Sequence, residues 1–315
     1  MKRLKNLKKL KNSGVILLAI LFIIPAISLA SKTKEIFVDD DAGSKQDGSY
    51  DHPYKTISKA LKEADGKTKI IVKRGTYIEN IVVSKDVKII GKEAKKVIIK
   101  AENKSQATIT LENKTEISNL TVEGGKQGVL VKNSGNRETT IVDCLIRNSR
   151  GDGIKIEEDG RSSDRKVNII GNKIYENGKS GIYSQKRKIV IMDNEIFDNE
   201  LDGIDLEDSI KAHIEDNEIN QNDGVGIKLR LGKSDITVSK NSFYKNDKDA
   251  IEVRYEGKPG NVIIGKNGFT KNEGFGIVKL YKYSSSNSNF YGLNIEKNNY
   301  FSENKSGQIS NPIKN

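Results

Sequence analysis

The chain has no tryptophan, one cysteine, two histidines, two methionines and four prolines. Each shortage excludes something. A single thiol, Cys144, cannot close an intramolecular disulfide, so stability has to come from packing. Two separated histidines, His52 and His213, with one thiol supply no transition-metal constellation, and nothing implies an organic cofactor. Without Trp and with little Phe or Met, a core of this size must be mostly Ile, Val and Leu. Apolar residues at helical spacing are missing from all but one short segment, which excludes a helical fold.

Acidic residues are absent from the first thirty positions, which carry Lys2, Arg3, Lys5, Lys8, Lys9 and Lys11, then an apolar run from Val15 to Leu29 and the small pair Ser28 and Ala30. This layout predicts a secretory signal over residues 1–30, cleaved after Ala30. An uncleaved anchor is the other reading of about fifteen apolar residues, and Pro25 and Ser28 argue against it. No cysteine lies nearby to take a lipid. The expected location is therefore extracytoplasmic (secreted, periplasmic or at the cell surface), with no membrane attachment after cleavage. Of the formal net charge of +11, six positive charges lie in this segment, which leaves 48 basic against 43 acidic residues, or +5. An excess that small and that mixed does not predict nucleic-acid binding. It suits an acidic polysaccharide, and equally an ordinary solvated surface.

What the sequence does contain is a repeat. A Gly-led apolar alternation recurs as Gly128-Val129-Leu130-Val131, Gly153-Ile154-Lys155-Ile156, Gly181-Ile182-Tyr183-Ser184, Gly203-Ile204-Asp205-Leu206, Gly226-Ile227-Lys228-Leu229, Ala250-Ile251-Glu252-Val253 and Gly276-Ile277-Val278-Lys279, with steps of 25, 28, 22, 23, 24 and 26 residues. A second motif runs in phase with it: Asn172-Lys173-Ile174, Asn194-Glu195-Ile196, Asn217-Glu218-Ile219, Asn241-Ser242-Phe243, Asn267-Gly268-Phe269 and Asn298-Asn299-Tyr300. A further Asn follows at 177, 199, 222, 246 and 272, and in the unit of Cys144 either Asp143 or Cys144 fills the first Asn slot. Alternation over four or five residues means short strands, and Gly, Asn and Asp between them mean turns with left-handed backbone. Two or three such strands per unit, with no helix between, predict a coil whose rungs stack in parallel register about 4.8 Å apart. Equivalent Ile residues then form columns inside, and equivalent Asn residues form ladders at the turns.

These units resemble the rungs of the pectin-lyase-like superfamily of right-handed parallel β-helix proteins across roughly residues 70 to 300. The N-terminal segment is similar to a module often found at the head of such helices: Phe37-Val38-Asp39, Asp47-Gly48-Ser49, Pro53-Tyr54-Lys55-Thr56-Ile57, Gly75-Thr76-Tyr77 and Glu79-Asn80. The resemblance implies an all-β right-handed solenoid and says almost nothing about activity. The one helical pattern, Ile57, Ala60, Leu61 and Ala64, predicts a short capping helix over the first coil, with Thr56 as N-cap and Gly66 as C-terminal stop. The expected organisation is thus a signal over 1–30, a cap over 31–69, the β-helix over 70–300 and a polar tail over 301–315.

In the strand after each Gly, the next residue points inward and the following one outward. The outward columns therefore read Lys155, Tyr183, Asp205, Lys228, Glu252 and Glu157, Gln185, Glu207, Arg230, Arg254. The loops after this sheet vary most, from ten residues between Ile156 and Val167 to four between Ser184 and Ile189, and variable loops on a rigid scaffold are where grooves form. Enzymes of the superfamily typically work on such an exterior groove.

The sharpest reading is a polysaccharide lyase. Asp202, Asp205 and Glu207 would hold calcium against a uronate carboxylate, Lys228, Arg230 or Arg254 would remove the adjacent proton, and Lys155, Tyr183 and Glu252 would contact the sugar chain. The plainer readings are a groove that binds glycan without chemistry, and cross-rung ion pairing with no ligand at all. A polygalacturonase-like hydrolase would show paired Asp residues with a Gly-His-Gly element, and neither is present. His213 is expected at the surface, and Asp39, Asp40, Asp41 and Asp47 as a structural calcium site or a solvated turn. Tyr175, Tyr183, Tyr255, Tyr281 and Tyr283 are candidates for stacking on sugars. The expectation is a monomeric exported β-helix that binds an acidic polysaccharide, with cleavage left open; the alternative is a non-catalytic surface protein such as an adhesin or envelope component.

Overall fold

A computed structural model describes residues 33–84, 86–132, 138–158, 166–256, 258, 260–282 and 290–314. The predicted signal segment lies outside them. Short parallel strands form three sheets that run the length of a coil. Sheet 1 runs from Lys34–Val38 to Leu293–Ile295 and has 11 strands, sheet 2 from Gly75–Ile78 to Tyr300–Ser302 with 10, and sheet 3 from Ile81–Val83 to Gly307–Ile309 with 11, Ile313–Lys314 lying beside its last full strand. Each rung gives one strand to each sheet, so every pairing joins residues a full coil apart.

The inward column of sheet 3 is as the alternation predicts. Ile154, Ile182, Ile204, Ile227, Ile251 and Ile277 are paired rung to rung and fully buried. In sheet 2 the column changes from Ile to Phe toward the C-terminal end: Phe243 stacks on Phe269 at 5.0 Å and Phe269 on Phe301 at 4.8 Å. Three of the eight Phe residues of the chain form this one stack.

Both Asn ladders form. Asn194 shows the pattern: its backbone N–H donates to Asn217 Oδ1 at 3.0 Å, and its Nδ2 donates to Ile169 O at 2.9 Å and Met192 O at 2.8 Å. The left-handed residue is the one just before each ladder Asn, such as Asp193 and Asp216, or even Lys240 and Lys266. A side-chain amide that bridges the turn offsets the strain that a non-glycine residue carries there. In the ambiguous unit, Cys144 takes the Asn slot, its N–H donating to Asn172 Oδ1 at 2.9 Å. Its thiol is fully buried, and burial raises its pKa far above the ordinary thiol value.

Three boundaries differ from the sequence expectation. In the last unit Asn299, not Asn298, accepts from Asn267 N–H at 3.0 Å, so Phe301 turns inward and Tyr300 outward. Residues 301–314 are not simply a tail, because Tyr300–Ser302, Gly307–Ile309 and Ile313–Lys314 are paired strands of the closing rung. The helix, Ile57–Glu63, buries Ile57 and Ala60 and packs over the first coil with Thr56 as N-cap, but its C-cap is Ala64 in extended conformation and Gly66 lies beyond it. Glu79, from the turn after Gly75–Ile78, also caps this helix: its carboxylate accepts from Ile57 N–H and Ser58 N–H, both at 2.8 Å.

Candidate functional site: the outer face of sheet 3

Because successive strands of sheet 3 pair without slippage, Lys155, Tyr183, Asp205, Lys228 and Glu252 form one outward column, as predicted. What the backbone places side by side, however, the side chains do not always join. Lys228 lies opposite Asp205 in register, yet its ammonium goes to Asp202 Oδ2 at 2.8 Å. Asp202 sits at the turn before the strand and is buried, and its other oxygen accepts from Val225 N–H at 2.9 Å. Burial opposes the charge on Lys228, but the hydrogen bond to Asp202 and the carboxylates of Asp202, Asp205 and Glu252 outweigh it and hold the pKa above the ordinary lysine value.

Asp205 is left as the odd group. One of its oxygens is buried without a hydrogen-bond partner. Burial lifts its pKa to about 6 against the opposing field of Lys228, with Asp202 and Glu207 adding to the rise. Tyr183, one rung before, donates its hydroxyl to Glu207 Oε2 at 3.1 Å; burial first and then the Glu207 charge push its pKa to about 12. Lys155 places its ammonium 5.4 Å from the centre of the Tyr183 ring.

The three residues expected to act as base are all held as cations. Lys228 pairs with Asp202; Arg230 bridges Glu207 at 2.8 Å and Glu256 at 3.1 Å; Arg254 holds the buried Glu252 through Nε. The expected metal ligands are likewise divided. Asp202 belongs to Lys228 and Glu207 to Arg230 and Tyr183, so Asp202, Asp205 and Glu207 do not converge on one point. Among the described residues the carboxylates that do converge, within 4.8 Å, are Asp39, Asp40 and Asp41 at the cap. There Asp39 pairs with Lys73 at 3.1 Å and Asp40 accepts from Thr76 N–H at 2.9 Å.

Two clefts adjoin at the edge of this face. One, of about 310 Å³, is lined by Arg230, Arg254, Tyr255, Glu256, Tyr281 and Lys282; the other, of about 260 Å³, by Gln185, Glu207, Asp208, Arg230, Glu256 and Lys258. Arg230 and Glu256 line both. Tyr255 and Tyr281 are register partners on consecutive rungs and both line the first cleft, with Tyr255 also packed against the core and tilted against Phe290 at 5.7 Å. Tyr175 is elsewhere, stacked on Phe197 at 4.9 Å in sheet 2, and Tyr283 lies outside the described residues. Glu256, Lys258 and Lys282 were not singled out from the sequence. The strands Ile251–Tyr255 and Phe275–Tyr281 run past the Gly-Ile-x-Ile unit and end next to Glu256 and Lys282, whereas nothing in the repeat points to Lys258.

A sequence profile described as "Right handed beta helix region" matches residues 103–259. No curated protein matches the sequence significantly. Among solved structures, the chain is similar to the pectate lyase Pel9A at 17% identity, covering 89% of this chain and 78% of that one with a TM-score of 0.62. It is similar to a family 28 exopolygalacturonase of Yersinia enterocolitica at 12% identity, covering 90% and 66% with a TM-score of 0.61. For XylC in complex with xylose the values are 14%, 83% and 70%, with a TM-score of 0.55. At these identities the likeness is one of fold.

Proposed function

We propose that this chain, a right-handed parallel β-helix with the fold of the pectate lyase and exopolygalacturonase structures, is an exported protein that binds an acidic polysaccharide in the two adjoining clefts at the edge of sheet 3. The observation that carries this is the lining of the first cleft: Tyr255 and Tyr281 on consecutive rungs beside Arg230 and Arg254. Flat rings suit the apolar faces of sugars, and a guanidinium fork suits a carboxylate. Arg254 uses only Nε on Glu252, and its terminal amino groups have no partner among the described residues.

Binding is favoured over proton abstraction because a general base has to be uncharged before it acts. Lys228, Arg230 and Arg254 each carry a proton that an adjacent carboxylate holds in place. Calcium at Asp202, Asp205 and Glu207 would have to displace the Lys228 ammonium and the Arg230 guanidinium. One observation favours a second, catalytic reading: an Asp205 carboxyl with a pKa near 6 is a proton donor at mildly acidic pH.

The test is a panel of acidic and neutral polysaccharides, scored for binding and for ultraviolet absorbance from unsaturated products, with and without calcium. The expected result is saturable binding of a uronate oligosaccharide that Arg254→Gln and Tyr281→Ala each weaken, without new absorbance. Calcium-dependent absorbance would establish the lyase instead. Failure of every polysaccharide to bind would leave the surface or envelope role.

A further inference from the structure

A second charged column lies on a different face. The first positions of three consecutive strands of sheet 1 are Lys166, Lys188 and Lys211, and they are register partners. Adjacent rungs are about 4.8 Å apart, so the backbone stacks three like charges in one line. Like charges directly opposite each other destabilise a sheet. On sheet 3 acids alternate with the bases; here Glu138 and Asp235 stand only at the two ends of the run, the charge of Glu138 reaching Lys188 as well as Lys166. Glu138, before the column, holds Lys166 at 3.3 Å and accepts from Asn168 as well. Asp235, the register partner of Lys211 on the far side, instead accepts from Asn261 Nδ2 at 2.8 Å. Lys188 and Lys211 are exposed and form no ion pair among the described residues. On the next rung the column position is Asp235, so the run of like charge ends at Lys211.

We propose that the Lys166, Lys188 and Lys211 column is a docking strip for a linear acidic glycan that lies along the coil axis and presents about one anionic group per rung. An anion on each lysine removes the repulsion that the register imposes, so the ligand recovers what the bare column loses. Lysine suits this task because a flexible point charge follows an anion without demanding fixed geometry. A glycan is favoured over single-stranded nucleic acid because bases are held by stacking on aromatic side chains beside the basic groups, and the next outward positions of these strands are Asn168, Val190 and His213, with no Phe, Tyr or Trp. The strip is on sheet 1 and the clefts are on sheet 3, so neither reading depends on the other.

The experiment uses the full chain carrying Arg254→Gln and Tyr281→Ala, which removes the cleft's contribution, and titrates polygalacturonate, dextran sulfate, neutral dextran and a single-stranded DNA oligomer at several salt concentrations. Both polyanionic glycans should bind with an affinity that falls as salt rises, and neutral dextran should not. Adding Lys166→Gln, Lys188→Gln and Lys211→Gln should weaken binding about tenfold and flatten the salt dependence by two to three charges. A control of equal charge, Lys62→Gln, Lys95→Gln and Lys297→Gln, takes exposed lysines from elsewhere and should leave both unchanged. Equal loss in the two triples would mean that net charge alone is felt, and would overturn the strip, as would no polyanion binding at all. Tighter binding of the DNA oligomer would overturn the glycan assignment. If the cleft reading fails and the strip holds, the chain with and without the cleft substitutions binds polyanions equally.

Discussion

Sheets 3 and 1 face the same difficulty on their outer surfaces, and they meet it differently. Both stack charged residues at rung spacing. On sheet 3 acids and bases alternate, and the pairs are drawn down onto the sheet: Lys228 and Asp202 expose 19% and 9% of their side chains. On sheet 1 three lysines stand in line; Glu138 at one end pairs with Lys166 and Asn168, Asp235 at the other accepts from Asn261, and Lys188 and Lys211 have no ion pair among the described residues. A face whose charges satisfy one another holds its shape without a ligand, whereas a face of one sign gains from an anion. The two faces share one scaffold, so perturbing that scaffold and perturbing either face should give separable effects.

The scaffold itself gives the largest. Ile204 is fully buried between Ile182 and Ile227, and its strand carries Asp205 on the other side. Ile204→Ala should cost about 2–5 kcal/mol, because fixed rungs cannot close over the cavity. Chemical denaturation followed by circular dichroism measures it. A loss under about 0.5 kcal/mol would mean that the facing of the whole column is wrong, since a one-residue slip would exchange Ile204 for Asp205.

The sheet 3 face has a pH signature of its own. The folded-state pKa of Asp205 is raised to about 6 from an ordinary value of 3.8. The folded chain therefore binds this proton more tightly than the unfolded chain, and stability falls as pH rises from about 4 through 6. A shift of about two units corresponds to about 3 kcal/mol, which partial exposure reduces to about 1–2. Asp205→Asn should accordingly be more stable than the parent by that amount at pH 7.5 and no more stable at pH 4. Parallel pH dependence in parent and variant would show that another group carries the effect.

Much of this was legible in the sequence, and the limits have identifiable causes. The Ile columns and both Asn ladders follow from period two and from a constant phase, so they were visible residue by residue. The slip at Asn298 and Asn299 arose because Tyr300 and Phe301 both satisfy the apolar slot; only the stacking of Phe301 on Phe269 decides between them. Gly66 resembled a helix stop, but the chain leaves the helix at Ala64, and Glu79 caps its other end from 22 residues away. The outward columns were correct as backbone positions, yet register does not say which acid a long cation reaches. Lys228 passes over Asp205 to Asp202, and that choice dissolves the expected three-carboxylate site. The lysine column was hidden because its members fall before the strand's first inward residue, outside the repeating Gly-Ile unit.

The smallest effect belongs to that column. Lys188 stands between Lys166 and Lys211 and forms no ion pair among the described residues. Lys188→Gln keeps an exposed polar chain of similar length while removing the central charge, so it should stabilise the chain by about 0.2–1 kcal/mol at low salt, the size of a relieved like-charge pair. Exposed charges are screened within about 3 Å at 1 M salt, so the gain should vanish there. On sheet 3 the opposite sign is expected: Lys228→Gln leaves the buried Asp202 carboxylate without its cation and lowers stability at both salt concentrations, since a half-buried pair is poorly screened. Denaturant titrations of the two variants at low and high salt make the comparison. If Lys188→Gln destabilises at low salt, the lysines are bridged by something within the fold, and the contrast between the two faces falls.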